Sequence, residues 1–105
     1  MRLRASGDYR RVHAHGRRIR QACITLIHAP GTGPGSRFGM AVSRKVGNAV
    51  VRNRVKRWLR EAIRHERGSL DGCWDVVIVA APSAADADAV ALAAQVRQAF
   101  RRIRG

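Results

Sequence analysis

Apolar side chains between residues 51 and 63 recur at helical spacing. At about 100° per residue, Val51, Val55, Trp58, Leu59 and Ala62 fall on one stripe, with Ile63 at its border. The opposite side carries Asn53, Lys56, Arg57, Arg60 and Arg64. Arg54 and Glu61 flank that side at one margin and Arg52 lies at the other. Asn48 supplies an N-cap and Gly68 a stop, so a helix is predicted from Asn48 to about Arg67. This helix has an apolar floor and a broad cationic roof.

The remaining pattern is shorter in period. Asp8 to His15 reads as a short helix, with Asp8 supporting its N-terminus and Gly16 at the position of a left-handed stop. Ile19 to Ala29 reads as one strand, with Cys23, Thr25 and Ile27 on one face and Ala22, Ile24 and Leu26 on the other. Pro30 to Ser36 is a Gly/Pro loop. It is not a phosphate-binding P-loop, because no Gly-Lys-Ser/Thr opens a helix after it. Arg37 to Ser43 reads as a second strand. Trp74 to Ala80, with Val-Val-Ile-Val at its centre, reads as a third strand covered on both faces. Pro82 ends it. Asp86 and Asp88 favour a helix start, and Ala89, Leu92, Ala93, Val96, Phe100 and Ile103 carry a last helix to about Arg104.

The predicted order is α-β-β-α-β-α, a small α+β sandwich of sheet and helices in layers. Its 105 residues fit a single domain, 1–105. The longest apolar run, Val76 to Ala81, is far short of the ~20 residues that cross a bilayer, so no membrane partner is expected. No apolar stretch follows Arg2 and Arg4, so no secretory signal is read. Cys23 and Cys73 lack any metal or redox spacing. Two reduced, buried cysteines in a cytoplasmic protein are expected.

Charge changes the picture. The net charge is +14, and 19 of the 21 basic residues are arginine. It is blocked along the chain: +6 over residues 1–20, +1 over 21–42, +7 over 43–67, −4 over 68–96 and +4 over 97–105. A surplus of this size repels itself and calls for a polyanionic partner. Arginine's planar fork matches phosphate and stacks on bases; the arginine bias is also what a base-composition effect alone would produce.

Seven acidic residues leave little for metal-assisted phosphodiester cleavage, which needs convergent carboxylates. Asp86 and Asp88 read as helix-start residues, Asp71 and Asp75 flank a turn and a strand, and Glu61 and Glu66 lie among arginines. No protein-held metal site is therefore expected, and no catalytic triad is legible. His13 and His15 are either an acid–base pair or two surface residues of a short helix, and the second reading is the simpler. Binding fits better. Arg52, Arg54, Lys56, Arg57 and Arg60 within nine residues, with Asn53 between, would neutralise phosphates and release counterions. An A-form major groove excludes side-chain readout, so such a face reads RNA backbone and shape. Tyr9, Val12 and His13 share one face of the first helix. They either offer stacking to unpaired bases or, for Tyr9 and Val12, simply close the core.

The run from Phe38 to Glu61, containing Ser43-Arg44-Lys45-Val46-Gly47-Asn48 and Arg52-Asn53-Arg54, resembles the protein component of bacterial ribonuclease P. Asp8 to Gly16 looks like that family's first-helix motif and Asp75 to Ala80 like its third strand. The resemblance covers nearly the whole chain in order. It implies an RNA-binding subunit, monomeric within its holoenzyme, of an endonuclease whose catalytic RNA removes the 5′ leader of precursor tRNA. It implies Mg²⁺ held mainly by that RNA and the substrate. It implies that Lys45, Arg52, Asn53, Arg54, Lys56, Arg57 and Arg60 face the catalytic RNA. Tyr9, Val12, His13, Cys23, Thr25 and Ile27 would line a leader cleft. His13 and Ile27 stand where the family often has aromatics, which weakens base stacking there. Ordinary connectivity would join the second and third strands, if parallel, by a right-handed crossover; the resemblance implies a left-handed one. A structural ribosomal protein would also explain size and charge, but it would not require the Arg52-Asn53-Arg54 motif.

Overall fold

The computed structural model describes residues 6–103, with the side chain of Ser6 left aside. Arg2, Arg4 and Arg104 lie outside the described residues. The helices are α1 (Ser6–His15), α2 (Ala49–Glu66) and α3 (Ala89–Arg101). The strands are β1 (Arg17–Arg20), β2 (Ile24–Pro30), β3 (Arg37–Ala41) and β4 (Trp74–Ala80). They form one mixed sheet in the order β1-β2-β4-β3. β1, β2 and β4 pair antiparallel in sequence, whereas β3 and β4 pair in parallel and are joined through α2.

One expectation needs correction here. Ile19 to Ala29 is not one strand. The chain turns at Gln21-Ala22-Cys23, closed by the Gln21 amide donating to the Ile24 carbonyl at 2.8 Å. Arg17–Arg20 then becomes a separate edge strand, of which only Ile19 is buried. The element order is therefore α-β-β-β-α-β-α. β3 is also shorter than read, ending at Ala41, and α3 stops at Arg101 rather than near Arg104.

Both faces of the sheet are covered, for different reasons. On one face, Ile24, Leu26, Val76 and Ile78 meet Val55, Leu59 and Ala62 of α2 and Leu92, Val96 and Phe100 of α3 in the larger core. Phe38 and Phe100 stack there with centroids 5.9 Å apart. On the other face, Val12 of α1 covers Ile27, Ala29 and Val77, with Tyr9 and Val79 packed against them. β4 is central and buried along nearly its whole length, as its apolar run requires.

The caps follow the sequence. The Asn48 side chain accepts from the Val51 amide at 3.0 Å, and the Asp88 side chain accepts from the Ala91 amide at 2.8 Å. Gly68 does not stop α2 abruptly; α2 runs into a 3-10 turn over Arg67–Ser69. Gly16 is not a left-handed stop either, since among described residues only Gly47 and Gly72 have positive φ. A Cβ at Gly16 would run into the Val12 carbonyl oxygen and the Ile27 side chain. Glycine there permits close approach of helix and sheet. Neither cysteine is fully buried as expected: Cys23 is half-buried and Cys73 exposed.

Candidate nucleic-acid interface

Strand register sorts the α1-side face of the sheet into three cross-strand rows. The lowest joins Ala29, Asp75 and Arg37. The middle joins Arg18, Ile27, Val77 and Gly39, and the upper joins Arg20, Thr25, Val79 and Ala41. Directly paired residues share a face, which fixes these rows.

α1 lies along the middle row. Val12 is fully buried over Ile27 and Val77. Tyr9 lies against Gly39, where a Cβ would overlap its phenol. The lower row anchors the helix. Asp75 is fully buried, and both Arg11 of α1 and Arg37 of β3 donate to it, Arg37 Nη2 at 2.7 Å. Arg37 also pairs with Asp8 of α1 at 3.1 Å. The hydrogen bonds to Asp75 and then to Asp8 raise the Arg37 pKa above its ordinary value. This network was missed because its members lie 29, 38 and 64 residues apart in sequence. The one available signal was an aspartate opening an otherwise apolar strand.

The anchoring leaves α1 with two unlike flanks. Asp8 and Arg11 turn toward the lower row. About 100° per residue then carries Tyr9 and His13 to the opposite flank, beside the upper row. On that row Thr25, Val79 and Ala41 are half-buried, with Val79 packed against the edge of the Val12 cluster. The result is a shallow trough with a small, uncharged floor and α1 as one wall.

Of the residues expected in a leader cleft, Tyr9, His13 and Thr25 border this trough. Val12 and Ile27 are enclosed between α1 and the middle row, Val12 with no exposure and Ile27 with 2%. Cys23 stands apart. It precedes β2, packs against the larger core, and its amide donates to Gln95 Oε1 of α3 at 2.7 Å. The alternation that placed it with Thr25 and Ile27 ends at the bend.

The cationic face of α2 is divided as well. Asn53, Arg57 and Arg60 are exposed, Lys56 is half-exposed, and Lys45 is exposed in the loop before the helix. Arg57, Arg60 and Lys56 make no ion pair among the described residues, whereas Arg64 pairs with Glu61 at 2.6 Å. Arg52 Nε donates to the Gly47 carbonyl at 3.2 Å. Arg54 is the most constrained. Its guanidinium lies 5.3 Å from the centre of the Trp58 ring, and Nη2 donates to the Ala85 carbonyl at 3.3 Å in the 3-10 turn Pro82–Asp86. Its Nε is buried and has no partner among the described residues.

His28 sits behind the sheet, in edge contact with Trp74 at 5.2 Å. Burial, reinforced by the charge of Arg17, lowers its pKa below the ordinary 6.5. Among the described residues no three His, Cys, Asp or Glu side chains converge as a metal-ligand group, and no helix is long and apolar enough to cross a membrane.

A helix anchored across a four-stranded sheet, beside a parallel β3-α2-β4 connection, is an architecture shared with solved bacterial proteins. The ribonuclease P protein of Thermotoga maritima superposes with a TM-score of 0.88 at 26% identity, over 100% of this chain and 99% of that one. The Staphylococcus aureus protein superposes with a TM-score of 0.86 over 95% and 92% of the two chains. The fold is thus that of the bacterial ribonuclease P proteins. Sequence agrees: ribonuclease P protein components from a Nocardioides species and from Desulfovibrio desulfuricans are 40% and 41% identical. The alignments span 97% and 98% of this chain and 90% and 82% of theirs. The Ribonuclease P family model matches residues 1–104, and the chain belongs to that family.

Proposed function

We propose that this chain is the protein subunit of a cytoplasmic ribonuclease P. It binds the catalytic RNA through Lys45, Asn53, Lys56, Arg57 and Arg60, with Arg52 and Arg54 at the margin of that face. It holds the 5′ leader of precursor tRNA in the trough beside Tyr9, His13 and Thr25. The observation that carries this reading is the pairing of two surfaces on one small fold. One is a dense cationic helix face with unpaired arginines. The other is a near-neutral trough walled by α1. Cations holding phosphates give affinity without sequence, while a neutral trough suits an unpaired strand.

The bond-breaking step belongs to the RNA in this reading. Asp8 and Asp75 are held by arginines, Asp88 caps α3, and Glu61 pairs with Arg64. These carboxylates do not fit a protein-held Mg²⁺ site, so the Mg²⁺ of the reaction is assigned to the catalytic RNA and substrate. The protein acts as a monomer within the holoenzyme, by binding and orienting.

Precursor-tRNA cleavage at low Mg²⁺, with protein alone, matched catalytic RNA alone and both together, tests this. Cleavage should appear, or rise, only when both are present. No enhancement by the protein would overturn the reading and favour a structural, ribosomal-type RNA-binding role. Cleavage by the protein alone would show an autonomous nuclease.

A further inference from the structure

The upper row of the trough does not end in neutral residues. Its floor of Thr25, Val79 and Ala41 continues onto the edge strand β1 at Arg20, which pairs directly with Thr25. At about 4.8 Å between neighbouring strands, the row spans roughly 14 Å from Ala41 to Arg20. Arg20 is exposed, and its side chain makes neither a hydrogen bond nor an ion pair among the described residues. Its neighbour Arg18 points to the same face and behaves differently. Arg18 Nη2 donates to the His13 carbonyl at the end of α1, at 3.1 Å. Arg18 thus closes the corner between β1 and α1, while Arg20 stands free at the mouth of the trough. At the opposite end, β3 leads from Ala41 into Arg44 and Lys45, both exposed.

We propose that Arg20 is a phosphate-binding residue for the single-stranded leader, at the end of the trough away from α2. A leader lying along the upper row crosses all four strands. It has cations at both ends and small uncharged side chains between. The guanidinium of Arg20 then holds a backbone phosphate at the β1 edge, which makes binding depend on whether the leader is long enough to reach it. The edge strand is suited to this task. Among the described residues its outer side pairs with no other strand, and an arginine there also discourages edge-to-edge pairing of sheets.

The inference rests on the proposed leader trough, and the experiment separates the two. Holoenzyme reconstituted with wild-type protein, Arg20→Gln or Arg97→Gln is titrated with precursor tRNAs bearing a short or a long leader. Arg97 is exposed on α3, so its replacement removes the same charge elsewhere. Wild-type and Arg97→Gln holoenzymes should bind the long-leader substrate more tightly, and Arg20→Gln should lose most of that advantage. Its salt slope for the long leader should fall by about 0.7, the single-strand value for one phosphate. Thermal unfolding of the free protein should be unchanged. Retention of the full long-leader advantage by Arg20→Gln overturns this inference and leaves the trough standing. Equal losses on both leaders, or weaker binding of the catalytic RNA alone, also overturn it by placing Arg20 on a different RNA. Absence of any leader-length advantage in the wild type overturns the trough itself.

Discussion

Arg37 donates from Nη2 to Oδ2 of Asp75 at 2.7 Å, across the parallel β3–β4 pair, and the carboxylate is fully enclosed. Arg11 reaches the same oxygen from α1. A buried acid shared by two arginines ties the helix to the sheet beside the apolar contact of Val12 with Ala29. Asp75→Asn keeps the shape but removes the buried counter-charge of two partly buried guanidinium groups, leaving Asp8 to serve both. Breaking such a pair from one side costs about 3–5 kcal/mol. Urea unfolding of the variant should show a loss of that size; a loss under about 1 kcal/mol would show that the network does not anchor the fold.

Gly39 gives the second prediction. A side chain there would overlap the Tyr9 phenol, so Gly39→Ala must displace the Tyr9 ring from its seat on β3. Overpacking of this kind costs about 1–3 kcal/mol. The leader-length advantage in substrate binding should shrink with it, because Tyr9 walls the trough. Unchanged stability and leader dependence together would show that Tyr9 swings aside freely.

His28 makes stability depend on pH. Its folded pKa lies below the ordinary 6.5, so below that pH the unfolded chain binds a proton that the folded one resists. The contribution is complete above about pH 6.5 and is lost as pH falls through the folded value. Thermal midpoints should therefore decline between pH 7 and about 5. In His28→Gln this part of the decline should vanish; an identical pH profile for the two proteins would exclude His28 as its source.

The arginines of α2 should separate into two groups. Arg57→Ala and Arg60→Ala remove exposed, unpaired cations and should each lower the salt slope of catalytic-RNA binding by about 0.7–0.9. Their melting temperatures should not move. Arg54→Ala instead removes the stack on Trp58 and the bond to Ala85. It should destabilise the protein by about 1–2 kcal/mol and change the slope little. A full-contact loss of slope with unchanged stability would place Arg54 on the RNA directly.

What was legible in the sequence depended on how local its cause was. α2 was readable to within a residue or two, because its apolar spacing, the Asn48 cap and the charge segregation all lie within one segment. β4 was readable because a strand covered on both faces is continuously apolar. The β1–β2 turn was not, since Gln21-Ala22-Cys23 contains none of the glycine, proline or asparagine that mark a hairpin. That omission had consequences: it put Cys23 on the face of Ile27 and concealed the edge strand that carries Arg18 and Arg20. The role of Asp75 was invisible for another reason, as its partners come from distant segments. Arg54 was assigned by its helix margin alone, and only the fold shows Ala85 waiting beside it.

The long separation between Arg11 and Asp75 also sets a schedule. α1 is made before β4, and the carboxylate that anchors it is added 64 residues after Arg11. At roughly 5–20 residues per second, the first helix waits on the order of 3–13 seconds for its anchor during translation. Until β4 emerges, the helix has no buried acid to dock on and the upper row lacks Val79. A nascent chain therefore displays the arginines of α1 and β1 before the sheet beneath them is complete, and the surface beside α1 takes its shape only once β4 has joined β2 and β3.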